Sequence, residues 1–181
     1  MIYVKDDYLG KGTFESLRDY CYSTPFTIKE VGGKAFSVLE TPEPLLKLFQ
    51  IEGHNLILSF IRSAYKDFDT DLRIHADGII NKQRTALASV LYISDIPYNG
   101  TAFFKNHKYG KSLPEDISEE EFNRLIIEES NEKKYWEQTD VISGYPNRLL
   151  MYDANYFHAK WPPHIYSGTR IVLVNFYAKI K

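Results

Sequence analysis

LRIHADG, running from Leu72 to Gly78, marks the point where the pattern of this chain changes. Before it the signals are helical. After it come short apolar runs rich in Val, Ile, Leu, Tyr and Phe, broken by turn residues such as Asn99-Gly100 and Ser167-Gly168. The runs predict strands over 72–75, 87–94, 101–104, 148–152, 157–161 and 170–178. Several short strands with turns between them predict a mainly β fold with flanking helices, built on a jelly-roll, cupin-like core. Within the first run, His75 and Asp77 stand two residues apart. Side chains at i and i+2 of an extended chain share one face, roughly 6.5–7 Å apart at the backbone. Such a pair can grip a metal ion only with a third ligand from elsewhere. H-x-D alone also occurs by chance, so the rest of the chain decides its meaning.

Upstream, TPEPLLKLF predicts a helix: Thr41 caps it, Pro42 suits the first turn and Glu43 favours its positive end. A second helix is predicted over 56–66, where Ile57, Phe60, Ile61, Ala64 and Tyr65 recur at spacings of three and four. The expected organisation is one domain over 1–181. A helical N-terminal support occupies about 1–68 and a β-helix core about 69–181, with a helical insertion over about 105–147. In that insertion Ser118 and Glu121 have capping-box spacing, and Phe122, Leu125, Ile126 and Glu129 follow on helical repeat to about Lys134. It is either an elaboration packed on the sheet or a lid over a site.

Composition narrows the function classes. Its 181 residues are enough for one core with an internal site, and a formal charge of −2 gives no footprint for nucleic acid or an acidic membrane. One cysteine, Cys21, leaves no internal disulfide and fits a reducing compartment; it reads as a small buried apolar residue. The N-terminus has no basic region followed by an apolar run, and no stretch approaches ~18–20 consecutive apolar residues. A soluble cytoplasmic protein is expected.

The third ligand must be a histidine or carboxylate. His54 sits between the two predicted helices, His107 in a charged loop, and His164 after Pro162-Pro163; each reads as a surface residue. His158 differs, because an apolar strand, a polar turn and Tyr156-Phe157 lead into it, and Arg170 then opens RIVLVNFYAK, the most strand-like segment of the chain. Two histidines and one carboxylate with open coordination positions form the facial triad of non-haem Fe(II) oxygenases. Imidazole and carboxylate hold Fe(II) while leaving room for cosubstrate and O₂. A planar guanidinium grips a carboxylate through two hydrogen bonds.

RIHADG, ALASVLYIS, NGTAFF, NRLLMYDANYFHAKWPP and SGTRIVLVNFY together resemble the Fe(II)/2-oxoglutarate-dependent dioxygenases, in particular the prolyl-4-hydroxylase-like branch. These segments span Leu72 to Tyr177. The resemblance implies a double-stranded β-helix and makes His75, Asp77 and His158 the metal ligands. It makes Arg170 the partner of the distal carboxylate of 2-oxoglutarate, and puts Tyr92 where relatives often hydrogen-bond that carboxylate. Tyr92 reads equally well as a core residue with its hydroxyl satisfied. The chain departs from the branch at Asn99, in place of the first glycine of a pair, and at Ser94, in place of Asn. Asp77 is retained, which argues against a halogenase.

The implied reaction uses Fe(II), 2-oxoglutarate and O₂, releases succinate and CO₂, and hydroxylates an amino acid, peptide or small metabolite. Two other classes stand beside it: a non-catalytic jelly-roll binding protein, and a cupin-type metal enzyme that uses no 2-oxoglutarate. The triad and Arg170 occurring together argue against both. Arg73 would share the face of His75 and Asp77 and contact an acidic substrate group, or be a strand-edge arginine in water. Trp136 and Trp161 would line a substrate pocket or close the core.

Overall fold

The computed structural model describes residues 1–31, 33–69, 71–80, 82–96 and 99–180. Its centre is a double-stranded β-helix. The large sheet begins with β1 (Ile2–Lys5), β2 (Thr27–Val31), β3 (Lys34–Glu40) and β4 (His54–Tyr65). It is completed by β7 (Leu87–Tyr92), β10 (Leu149–Asp153) and β12 (Thr169–Lys179), in the order β1-β10-β7-β12-β4-β3-β2. The small sheet has the order β11-β8-β9, from β8 (Gly100–Asn106), β9 (Trp136–Ser143) and β11 (His158–Trp161). All pairings in both sheets are antiparallel. A two-stranded hairpin, β5 (Ile79–Ile80) and β6 (Gln83–Arg84), follows the HxD segment.

Alternation along the strands sorts the core into layers. On β7, β10 and β12, Leu91, Leu149, Ile171 and Leu173 face outward onto α1 (Lys11–Ser23), whose Phe14, Leu17 and Cys21 recur at helical spacing. A second, short helix α2 (Glu43–Leu46) and the 3-10 turn Lys47–Phe49 close that layer with Leu45 and Phe49. Val90, Tyr92, Leu150, Tyr152, Val172 and Phe176 point the other way and meet Phe103 of the small sheet. A third cluster lies between the small sheet and the insertion: Leu125, Ile126 and Trp136 against Ile74, Phe157 and Ala159.

The helix expected over 56–66 is a strand. β4 lies between β12 and β3, and its two faces meet different clusters, Ile61 the outer one and Leu58 and Phe60 the inner one. A strand buried on both faces loses the two-residue alternation that would identify it, and a bulge opposite Phe176/Tyr177 shifts its phase further. Apolar residues on both faces then fall by accident at spacings of three and four. The first 68 residues therefore supply four strands of the large sheet as well as helices. Residues 72–75 run without regular pairing apart from one bridge, His75 to His158.

The insertion begins as expected. α3 (Glu119–Asn123) is capped by the Ser118 hydroxyl, which accepts from the Glu121 N–H, but a π-helical turn over Arg124–Glu128 ends it short of Lys134. The Trp136 indole donates to the Glu129 carbonyl at 2.8 Å, which turns the chain into β9. Gly100 marks no turn; it opens β8 opposite Ser143, and a Cβ there would meet the Ile142 carbonyl oxygen at 2.5 Å. It is glycine for close backbone approach.

Candidate metal and anion site

His75 is brought to His158 by reciprocal backbone hydrogen bonds between the two residues, 3.0 and 2.9 Å long. The bridge sets the imidazole rings beside each other, centroids 4.5 Å apart, and Asp77 follows one pleat on. Nε2 of His158 is 3.2 Å from the Asp77 carboxylate and Nε2 of His75 is 3.7 Å from it. One candidate ligand atom from each residue lies within 4.8 Å of the others. Both Nδ1 atoms are 2.8–2.9 Å from main-chain carbonyls, His75 from Arg73 and His158 from Tyr156. Nδ1–H therefore donates outward, and each neutral ring turns its Nε2 lone pair inward. Two inward nitrogens and an anionic oxygen are the donor set a hard-to-borderline divalent metal takes.

The electrostatics are those of a coupled, buried cluster. Burial opposes ionisation of Asp77, yet the two imidazoles beside it hold the carboxyl below its ordinary value. Burial lowers His75, and a charge on neighbouring His158 lowers it further. At His158 burial acts in the same sense, but the Asp77 carboxylate outweighs it and raises the ring above its ordinary value.

Arg170 opens β12 on its inward face, in phase with Val172 and Phe176, and is 7 % exposed. Its Nε donates to Asn99 Oδ1 at 3.0 Å, and Nη2 lies 3.5 Å from the Gly100 carbonyl. Among the described residues no carboxylate pairs with it. It forms one wall of a cavity of about 300 Å³ with Ile96, Trp161, Ile165 and Tyr166. The guanidinium carbon lies 5.9 Å from the centroid of the Tyr92 ring. Tyr92 is fully buried, and its hydroxyl is 2.8 Å from Thr101 Oγ1.

The other candidates separate. Trp161 stands in the cavity with Arg170. Trp136 is buried beneath the insertion, edge-on to Phe157 at 5.0 Å, and closes the core there. Arg73 is engaged: Nε and Nη2 each reach the Asp71 carboxylate at 2.9 Å, and Lys34 joins the same carboxylate at 2.7 Å. Cys21 is buried on the inward face of α1, and burial pushes its thiol up to about 12. His164 flanks two cavities.

The roles of four neighbours of the site escaped the sequence reading. Tyr152 puts its hydroxyl 3.0 Å from His158 Nε2; its place in phase with Leu150 on β10 was the available signal. Asn99 orients Arg170, and Ser94 accepts from the Ile171 N–H at 2.9 Å, so both departures from the branch pattern brace the start of β12. Lys160, two residues past His158, points to the same face and donates to the Asp69 carbonyl at 2.8 Å. H-x-K after a strand start is the same spacing signal as H-x-D.

Comparison with curated proteins found no match. Among solved structures, the chain is similar to the non-haem α-ketoglutarate-dependent carbocyclase SnoK from nogalamycin biosynthesis. The TM-score is 0.67 at 12 % identity, with 97 % of this chain and 78 % of that one covered. It is also similar to an oxidoreductase of the 2OG-Fe(II) oxygenase family from Burkholderia pseudomallei, with a TM-score of 0.59, 10 % identity and coverage of 98 % and 85 %. A third is HygX from Streptomyces hygroscopicus, solved with nickel, 2-oxoglutarate and hygromycin B, with a TM-score of 0.58, 14 % identity and coverage of 98 % and 82 %. At these identities the likeness establishes the fold, that of the 2OG-Fe(II) oxygenases. Residues 48–164, more than half of the sequence and including His75, Asp77 and His158, match the family of unknown function DUF6445, and the chain belongs to that family.

Proposed function

We propose that this protein is an Fe(II)- and 2-oxoglutarate-dependent oxygenase, most simply a hydroxylase, acting on a small molecule. His75, Asp77 and His158 would hold the metal, and Arg170 the distal carboxylate of 2-oxoglutarate. Trp161 lines the cavity beside Arg170, and Tyr92 buttresses the guanidinium from the strand alongside. We assign the whole of 1–181 to one cytoplasmic domain of the prolyl-4-hydroxylase-like branch. Nogalamycin and hygromycin B chemistry among the structural neighbours favours a small metabolite over a peptide.

The observation that carries the reading is the buried, carboxylate-free guanidinium of Arg170 on the same inner face as the triad. A buried cation needs an anion, and the described residues offer it only amide and carbonyl oxygens. A metal-only cupin would have no use for it. Bound Fe(II) would supply the O₂ chemistry that couples decarboxylation of 2-oxoglutarate to oxidation of a substrate C–H bond. The chain's own residues orient the cosubstrate, and the apolar walls of the inner face keep water out. The Nδ1–carbonyl bonds fix both imidazoles in the tautomer a metal requires.

Titrating 2-oxoglutarate into Fe(II)-loaded protein without O₂, following the metal-to-ligand absorption band, tests this. In Arg170→Ala, 2-oxoglutarate should bind more weakly by two to three orders of magnitude or more, from a loss of roughly 3–5 kcal/mol for a broken buried pair. Fe(II) binding should hold. Arg170→Lys should fall between the two, since it keeps the charge without the fork. Unchanged affinity in Arg170→Ala returns the metal-only reading.

A further inference from the structure

Between the turn that follows β4 and the segment that follows β11 lies a second cavity, of about 190 Å³. Lys160 stands in its wall with Leu72, Pro163, Ile165 and Tyr166. β11, which carries His158, and the segment that leads into His75 therefore both reach it. Lys160 lies two residues past His158 on β11 and Arg73 two residues before His75, so the two cations flank the bridge between those histidines. The two cations are not equivalent. Arg73 is neutralised by the two-point grip of Asp71, whereas Lys160 has only a main-chain carbonyl.

Of the two acids that line this cavity, Asp69 is engaged within the protein and Asp67 is exposed at the rim. The Asp69 carboxylate is fully buried and takes both Nε and Nη2 of Arg62. Lys66 and Asp67 are adjacent, exposed and opposite in charge at the rim. Among the described residues no carboxylate lies within ion-pair reach of the Lys160 Nζ. One ammonium, that of Lys160, is left over in a half-buried hollow whose walls mix Leu72, Pro163 and Ile165 with polar groups that include His164. The hollow is smaller than the ~300–1,000 Å³ of a whole ligand site, so it accommodates one end of a ligand. A single uncompensated positive charge matches a monoanion.

We propose that Lys160 and this cavity hold the carboxylate end of the primary substrate, a small monocarboxylic acid with an apolar stem. The carboxylate replaces the Asp69 carbonyl as acceptor, and the stem runs past Leu72 toward the triad one pleat away. The proposal deepens the oxygenase reading and rests on it for the identity of the bound acid as substrate.

Calorimetric titration of the full chain, loaded with Fe(II) and 2-oxoglutarate without O₂, tests it with hexanoate and 3-phenylpropanoate against their amides. The acids should bind about tenfold to a hundredfold more tightly than the amides, the range of a hydrogen bond to a charged group. Lys160→Met should erase that preference and Lys160→Arg keep it; Lys160→Gln repeats the erasure with a polar head should methionine fail to fold. 2-Oxoglutarate affinity should stay within about twofold of wild type in Lys160→Met, since the two cations serve different anions. Equal or absent binding of acid and amide overturns the proposal, as does a preference that survives Lys160→Met. A loss of 2-oxoglutarate binding as steep as that of Arg170→Ala moves Lys160 to the cosubstrate and also overturns it. Repeating the acid–amide comparison on metal-free protein separates the readings: an acid preference dependent on Lys160, with no 2-oxoglutarate binding, sinks the oxygenase and leaves a carboxylate site.

Discussion

Tyr152 hydrogen-bonds the very nitrogen that would take a metal, and the state of His158 decides the direction of that bond. A neutral ring accepts the tyrosine O–H at Nε2; a protonated ring turns Nε2–H to Asp77. Tyr152→Phe should therefore cost the metal-free protein about 1 kcal/mol, the net worth of one hydrogen bond, read from urea midpoints. It should leave divalent-metal binding in place. Asp77→Ala is the opposite case. The triad loses its anion, so Mn(II) or Fe(II) binding by calorimetry should vanish while the circular dichroism spectrum is kept, because the fold is built on three apolar clusters and not on the metal. Full metal affinity in Asp77→Ala would mean that a different carboxylate is the ligand.

At the scale of elements, the start of β8 holds the start of β12. Asn99 accepts from Arg170, its own carbonyl accepts from the Gly144 N–H, and Gly100 packs without a Cβ against the β9 backbone. Gly100→Ala must push β9 away or bend β8, and a destabilisation of about 1–3 kcal/mol is expected from overpacking against backbone that cannot yield. Because Arg170 leans on the same residues, 2-oxoglutarate binding should weaken with it. The insertion has a different role. Leu125, on its π-helical turn, is fully buried, so Leu125→Ala should cost about 2–5 kcal/mol by thermal or denaturant melting. A free-swinging lid would tolerate that change, whereas a packed third layer would not.

Over the whole molecule, stability should carry an acid limb written by Asp71. Burial opposes its charge, but Arg73 and Lys34 hold the carboxyl well below the usual carboxylate range. The unfolded chain then binds the proton more readily than the native one, so this contribution is full above about pH 4 and is lost as pH falls below it. Asp71→Asn should lower urea midpoints near neutral pH and flatten their decline between about pH 4 and 2. An unchanged slope would show that the Lys34–Asp71–Arg73 cluster is held no more tightly than a surface pair. No helix of the described residues is long and apolar enough to cross a membrane.

What the amino-acid sequence determined by itself is what local chemistry encodes. H-x-D places two side chains on one face of any extended segment, and five of the six predicted strands recur as β7, β8, β10, β11 and β12 within a few residues. Alternation and turn residues act over short range, so they are readable without a partner. The tertiary structure alone decided the rest. β4 is a strand because two neighbours claim it, and its two-sided burial erased the period that would have announced it. α1 went unread although Phe14, Leu17 and Cys21 stand at helical spacing, since polar residues between them mask so narrow a stripe. Asn99, Tyr152 and Lys160 matter only through groups far along the chain. Which cations are already paired — Arg73 by Asp71, Arg62 by Asp69 — and which are left for an anion is a property of distances, and no one-dimensional pattern carries those.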